Sequence, residues 1–130
     1  FMYGFHTTFN GSVVDAVSTV TVALSEEGFG VLTEIDVQAT LKKKLNIERS
    51  AYRILGACNP QLAHQALEAD PDIGLLLPCN VIVREEADGS TTVGFIEPAA
   101  MLGVTGRSDL VPLADEVKSR LERVRDALTL

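Results

Sequence analysis

Tryptophan is absent from the sequence, and phenylalanine and tyrosine together account for only 5% of the residues. An aromatic core is therefore excluded, and any buried interior must be built from leucine, valine, isoleucine and alanine. The chain has the material for one, because 46% of its 130 residues are hydrophobic. A chain of this length buries on the order of two thirds of its extended surface on folding. We therefore predict one ordered domain over residues 1–130.

Cysteine is also scarce, and its two copies are too few for a disulfide framework. The N-terminal segment FMYGFHTTFNG has neither a basic region nor a long apolar run, so we expect no signal peptide. The longest strongly apolar run, Ile73–Leu77, is far too short to cross a bilayer. These features favour a cytoplasmic protein with reduced thiols and no membrane partner.

Basic residues are in the minority, and the formal net charge at pH 7 is −7. An acidic surface repels phosphate backbones, so we predict no nucleic-acid partner. The one basic cluster, Lys42–Lys44, is only three residues long. It is interpreted as the solvated face of a helix.

Alternating and helical hydrophobic patterns divide the chain into nine segments. Ser12, Asp36 and Asn59 are suited to begin helices, since their side chains can accept backbone N–H bonds of the first turn. Asp88-Gly89 is typical of a hairpin turn. Strands are predicted over residues 3–9, 29–35, 52–57 and 91–97, with an extended stretch over 73–77 and 80–86 that Pro78 interrupts. A last helix is predicted over residues 110–128, after an irregular stretch over 98–106 with one helical turn.

The order of these segments predicts an α+β fold. Each helix carries one apolar stripe, which includes Leu45 in the second helix and Leu67 in the third. One-sided helices suit a two-layer α/β sandwich, with a mostly antiparallel sheet and helices packed on one face. A doubly wound sheet would need strands that are apolar on both faces, and only Ile73–Leu77 meets that condition.

Two long stretches carry a resemblance to a known family. They read EEGFGVLTEIDVQATLKKKLNI, and YRILGACNP followed by LAHQALEADPDIGLLLPCNVIVREEADG. The most specific parts are Gly28-Phe29, Glu34–Asp36, Cys58–Pro60 and Pro71–Cys79. The sequence resembles the bacterial and archaeal family called domain of unknown function 302, over nearly the whole chain. The resemblance implies a compact two-layer α/β domain that forms dimers, and it implies no reaction.

The stretch GACNPQLAHQALEADPDIGLLLPCN holds both cysteines and is the first place to look for a site. As a metal site it offers Cys58, His64 and Cys79, one fewer than the four ligands of tetrahedral zinc. His64 lies at the boundary between the apolar and polar sides of its helix, where an exposed histidine with no ligand role is the simpler interpretation. We therefore predict no bound metal and no cofactor.

The two thiols differ in their predicted surroundings. Cys58 lies just before a helix N-terminus, whose dipole and free N–H groups favour a thiolate. Cys79 has apolar neighbours, so burial should raise its pKa. We expect Cys58 to react first. The alternative is that both cysteines are small buried hydrophobes without reactivity.

A ligand site is the third interpretation of the same stretch. The helix that begins at Asn59-Pro60 and the interruption at Pro78 could open a pocket, with Cys58, Asn59, Cys79 and Asn80 around it. The competing interpretation is that both asparagines only satisfy nearby backbone groups.

Hydrolase, kinase and zinc-protease motifs are absent, so whether the chain is an enzyme stays open. The leading hypothesis is a homodimeric small-ligand-binding or interaction module, with dimer contacts from apolar surface that includes Phe5, Phe95 and Ile96. The alternative is a thiol-dependent redox or sulfur-transfer protein that uses Cys58.

Overall fold

A single five-stranded antiparallel sheet forms the centre of the domain. The computed structural model describes residues 2–129. The strands run in the spatial order β1-β5-β4-β3-β2, and each neighbouring pair is antiparallel. Their bounds are β1 Gly4–Phe9, β2 Gly30–Asp36, β3 Tyr52–Cys58, β4 Cys79–Glu85 and β5 Thr91–Ile96.

Five helices accompany the sheet, and the predicted caps begin three of them. The Ser12, Asp36 and Asn59 side chains accept the N–H groups of Asp15, Ala39 and Leu62. The helices are α1 Val13–Glu26, α2 Val37–Leu45, α3 Pro60–Ala69, α4 Pro98–Gly103 and α5 Val111–Ala127. Two 3₁₀ helices, Pro71–Leu76 and Ser108–Leu110, precede β4 and α5. The predicted α+β fold is confirmed.

The main core lies between one face of the sheet and the helices α1 and α5. Leu55, Val81, Val83 and Val93 supply its sheet side, and all four are fully buried. Phe95 also belongs to this core and stacks on Phe5 with ring centroids 5.3 Å apart. The prediction that these two phenylalanines supply surface for a dimer is therefore wrong, because strand alternation turns both towards the helices.

The stretch before Pro78 is the main correction to the predicted strands. Residues 71–76 form a 3₁₀ helix, with Pro71 in the first turn and the Asp70 carboxylate accepting the N–H of Asp72. The strand begins only at Cys79. Asp70-Pro71 is a helix-start signal, and it outweighs the apolar run that follows it.

The predicted buried stripe is wrong in α2, and in α3 it is wrong at Leu67. Leu67 of α3 is 42% exposed, because α3 buries the side that carries Ala66. In α2 no residue is buried, and Leu45 is 62% exposed. The second helix thus lies outside the helix layer.

Among residues 2–129, no helix is long and apolar enough to span a membrane.

Candidate functional site

An apolar cleft opens where α3, α4 and α5 meet the ends of β3 and β4. It lies at the junction between the main core and a smaller core cluster around Ile73 and Leu102. Its volume is about 30 Å³. The lining comprises Phe29, Ala57, Cys58, Asn59, Leu62, Ala63, Ala66, Leu77, Pro78, Cys79, Met101, Leu102, Leu113 and Val117. Three of the four predicted site residues, Cys58, Asn59 and Cys79, are thus brought together.

The two cysteines at the cleft have different exposure. Cys79 is buried and faces the core from the first position of β4, whereas Cys58 is half-buried at the last position of β3. Both are free thiols. Burial, and to a smaller extent the neighbouring Cys58, raises the pKa of Cys79 from 9.0 to about 11. The predicted rise is confirmed, and Cys79 is a neutral thiol at physiological pH.

Both groups of the Asn59 amide bind neighbouring backbone. Its Oδ1 accepts the N–H of Leu62 at 3.2 Å, and its Nδ2 donates to the Glu27 carbonyl at 3.4 Å. The Arg120 guanidinium donates to the same carbonyl at 2.9 Å. Asn59 therefore joins the start of α3 to the end of α1, and its polar groups are not directed at a ligand.

Gly28 is required by this junction. Its backbone is left-handed, with φ +84°, and a Cβ atom there would lie 2.9 Å from Asn59 Nδ2. Glycine is the residue that adopts this conformation without strain. Two of the most specific family positions, Gly28 and Asn59, thus have a structural explanation.

Asn80 lies apart from the other three residues. It is exposed on the opposite face of the sheet, beside an apolar depression of about 120 Å³ that Ile82 and Gly94 also line. The alternation of β4 causes the separation, because Cys79 and Asn80 point to opposite faces. A single pocket that holds both asparagines is therefore not formed.

The sheet face that carries Asn80 is not covered by a helix layer. The strand register places Ile35, Ile54, Ile82 and Gly94 in one row across it. We call this surface the open face; its strand positions are 4, 6, 8, 33, 35, 52, 54, 56, 80, 82, 84, 92, 94 and 96. No position of the described open face is an aspartate or a glutamate, although the chain has 18 of them.

Two glycines of the open face are closely packed by neighbouring side chains. A Cβ atom at Gly56 would overlap the Thr33 hydroxyl and approach Pro78 Cγ to 2.9 Å. At Gly94 it would lie 2.9 Å from Ile82 Cγ1. These glycines leave room for neighbouring side chains to lie across the strands.

The structure does not assemble a metal centre from the residues it describes. His64 is exposed on α3. Within residues 2–129, no three His, Cys, Asp or Glu side chains are placed to hold an ion. The absence of a metal stays a prediction for direct measurement.

The sequence did not identify the far wall of the cleft. Met101, Leu113 and Val117 come from α4 and α5, some forty residues or more beyond Cys58. The helical spacing of Leu113 and Val117 predicted burial, but burial against the core and burial around a cleft give the same pattern. Met101 lies in the stretch that was predicted to be irregular. Arg120 was missed for a similar reason, since nothing local connects it to Glu27.

Comparisons with known proteins identify relatives without a known activity. The chain is 32% identical, over 71 residues, to an uncharacterized protein of Aquifex aeolicus (strain VF5). That match covers 54% of this chain and 48% of the other, so the chain spans about half the length of the curated relative it matches.

A solved structure is similar over nearly the whole length. The crystal structure of an uncharacterized conserved DUF302 protein from Bacillus stearothermophilus superimposes with a TM-score of 0.92 at 27% identity. The alignment covers 98% of this chain and 99% of that one. A family model, described as domain of unknown function DUF302, matches residues 5–128. The chain therefore belongs to the DUF302 family.

Proposed function

We propose that this domain is a homodimeric binding module, and that two copies associate through their open faces. The observation that carries the proposal is that no strand position of an uncovered, isoleucine-rich sheet face is a carboxylate, on a chain with a net charge of −7. The one carboxylate at its edge among the described residues, that of Glu86, is neutralised by Arg84. A face exposed only to water has no reason to exclude acidic side chains. A face that meets its own copy has such a reason, because acidic side chains on the two copies would repel each other across a two-fold axis.

The open face has few charges of its own. Arg84 is paired with Glu86, at the end of β4. His6 lies on β1, and the remaining positions are aliphatic, glycine, hydroxyl, tyrosine or amide residues. Uncovered apolar sheet surface is a recognised mark of an interaction site.

The area of the face is compatible with a small biological interface. Five strands spaced by about 4.8 Å, each with about six residues at roughly 3.3 Å, give a face of about 24 by 20 Å. Two such faces bury on the order of 1,000 Å², which is the lower limit for a specific interface.

The test is the mass of the wild type and of a face variant in solution. Ile54 lies in the central row of the open face, and Ile54→Lys reduces the net negative charge of the chain. A loss of association in Ile54→Lys could therefore not be explained by stronger electrostatic repulsion between the two copies as a whole. Val22→Lys on α1, where Val22 is 59% exposed, is the matched control. We expect light scattering at micromolar concentration to show dimers for the wild type and Val22→Lys, and monomers for Ile54→Lys. A monomeric wild type would refute the proposal.

A small uncharged ligand in the cleft is the second candidate, and the lining supports it. The cleft volume of about 30 Å³ exceeds the roughly 10–15 Å³ that one water needs. Its polar groups offer little to a charged ligand, because the Asn59 amide is engaged and the Cys79 thiol is neutral. The occupant would be an apolar molecule of a few heavy atoms.

Dissolved xenon is a suitable probe of this cleft. We expect saturable shifts of the Leu62 and Val117 methyl resonances under xenon pressure in the wild type. Ala63→Leu, which fills the cleft, should abolish them, whereas Ala99→Leu on the exposed side of α4 should not. The absence of saturable shifts in the wild type would exclude the ligand function.

A thiol function remains the alternative, and it depends on Cys58. Cys58 is half-buried beside the cleft and directly precedes the N-cap of α3, while the raised pKa of Cys79 keeps that thiol protonated. Alkylation with iodoacetamide, followed by peptide mass spectrometry, distinguishes a reactive Cys58 from two unreactive cysteines. Selective labelling of Cys58 near neutral pH would favour the thiol function. Equal, slow labelling of both cysteines only on unfolding would eliminate it.

A further inference from the structure

The helix α2 and the loop after it have little cover within their own chain. We call residues 37–49 the α2 arm. It packs mainly against β3, and none of the residues of α2 is buried. Leu45 and Ile47 are 62% and 46% exposed. The exposed leucine and isoleucine at the end of this arm point to a partner outside the chain.

The charge of the arm is opposite to that of the rest of the molecule. It carries four of the 11 basic residues of the chain and one of the 18 acidic residues, a formal +3 against −10 for all other residues. Lys42 is paired with Glu48 at 2.5 Å. Within the described chain, Lys43 and Lys44 have no carboxylate oxygen within 4.0 Å, so their charges are available to a second molecule.

An acidic patch lies at the same end of the sheet as the arm. The register pairs Tyr52 with Arg84, so the arm, which precedes β3, and the β4–β5 hairpin, which follows β4, share one end. We call residues 85–88, which include Glu85, Glu86 and Asp88, the acidic hairpin. Hydrogen bonds from Ser90 lower the pKa of Asp88 and keep it ionised.

Two-fold symmetry would bring the arm and the acidic hairpin together between copies. The arm joins β2 and β3 on one side of the central strand β4, whereas the hairpin leads to β5 on the other side. A two-fold axis can run parallel to β4, between two open faces. Rotation about this axis places the β2–β3 side of one copy opposite the β5 side of the other. The arm and the hairpin then remain at the same end of the paired sheets. Sheets packed face to face keep their strands within about 30° of each other, which this axis satisfies. An axis across the strands would instead send the arm to the opposite end.

We propose that the α2 arm of each copy docks on the acidic hairpin of a second copy, with Lys43 and Lys44 facing Asp88 and Glu86, whose carboxylate lies beside Arg84 of the open face. This inference deepens the proposed homodimer and rests on it. The arm would extend an interface that the open faces alone make barely large enough. Its exposed leucine and isoleucine would be covered by the same contact.

Charge reversal on the two surfaces tests the contact. K43E/K44E and E86K/D88K each place like charges at both symmetric contacts. We expect each variant to self-associate at least about tenfold more weakly than the wild type at low salt. An equimolar mixture restores opposite charges at both contacts, so it should form mostly heterodimers. Native mass spectrometry with one partner ¹⁵N-labelled measures their fraction.

The matched control replaces E86K/D88K with E68K/D72K. Glu68 and Asp72 are exposed, at the end of α3 and in the 3₁₀ helix that follows, and the total charge change is the same. Mixed with K43E/K44E, the control variant should form fewer heterodimers, because one of the two contacts stays repulsive. Heterodimer formation also shows that the variants are folded.

Three outcomes separate the claims. The inference is supported if the wild type dimerises and K43E/K44E forms more heterodimers with the hairpin variant than with the control variant. A dimeric wild type, with equal heterodimer fractions for hairpin and control variants, overturns the arm contact and leaves the homodimer standing. A monomeric wild type overturns both.

Discussion

The buried thiol of Cys79 should make the stability of this domain fall at alkaline pH. The folded protein keeps the Cys79 proton until about pH 11, whereas the unfolded chain releases it near pH 9.0. The unfolded state therefore binds fewer protons in this window, and the free energy of unfolding falls as the pH rises. The full contribution is present below pH 9 and is lost as the pH passes through about 11.

The size of the effect follows from the two pKa values. A difference between 9.0 and about 11 corresponds to about 2.7 kcal/mol at 25 °C. For a domain of ordinary stability, about 5–15 kcal/mol, this is a large fraction of the total.

Urea unfolding of the wild type and Cys79→Ala measures this term. The variant loses packing at every pH, but it has no thiol to titrate at this position, so the difference between the two proteins should shrink by about 2.3 kcal/mol between pH 8 and pH 11, where the folded-state thiol is half titrated. Lysine and tyrosine residues titrate in both proteins alike, so their contributions cancel in the difference between the two free energies of unfolding. Protein concentration is held constant and a reductant is present. Cys58→Ala should retain most of the fall, because burial is the main cause. A constant difference across this range would refute the reasoning and indicate a hydrated Cys79.

Two substitutions test the packing around the cleft and the open face. Asn59→Ala removes the cap of α3 and the bond to Glu27, so we expect it to lower the free energy of unfolding by about 1–2 kcal/mol. Asn59→Asp should lie between it and the wild type, and equal stability of all three would contradict the assigned bonds. Gly56→Ala should destabilise by about 1–3 kcal/mol, because its methyl group overlaps the Thr33 hydroxyl and crowds Pro78. Thermal melting that shows a neutral Gly56→Ala variant would show that the open face yields more easily than the structure indicates.

The sequence predicted the fold well where the signals were local. The Ser12, Asp36 and Asn59 caps each begin a helix, and Asp88-Gly89 forms the predicted turn between β4 and β5. The prediction was wrong over residues 73–77, where a proline signal competed with an apolar run. Caps and turns act within four residues, so the sequence is sufficient to locate them.

The candidate site could be predicted only in part, because its walls are distant in sequence. The proximity of Cys58 and Cys79 depends on the pairing of β3 with β4, which also separates Asn80 from them. The exposure of Leu45 could not be foreseen, since an apolar stripe predicts burial but does not identify what covers it. In α2 the end of the stripe at Leu45 has little cover within the chain, which is the basis of the proposed contact with a second copy.

Intermolecular distances between methyl groups test the open-face dimer most directly. A sample is prepared by mixing ¹³C-methyl-labelled and unlabelled protein, and isotope-filtered nuclear Overhauser spectra record only contacts between copies. We expect intermolecular signals at the methyl groups of Ile54 and Ile82, and none at Val22 or Leu75, which are exposed elsewhere. The absence of signals from the two isoleucines, or signals confined to Val22 and Leu75, would contradict association through the open face.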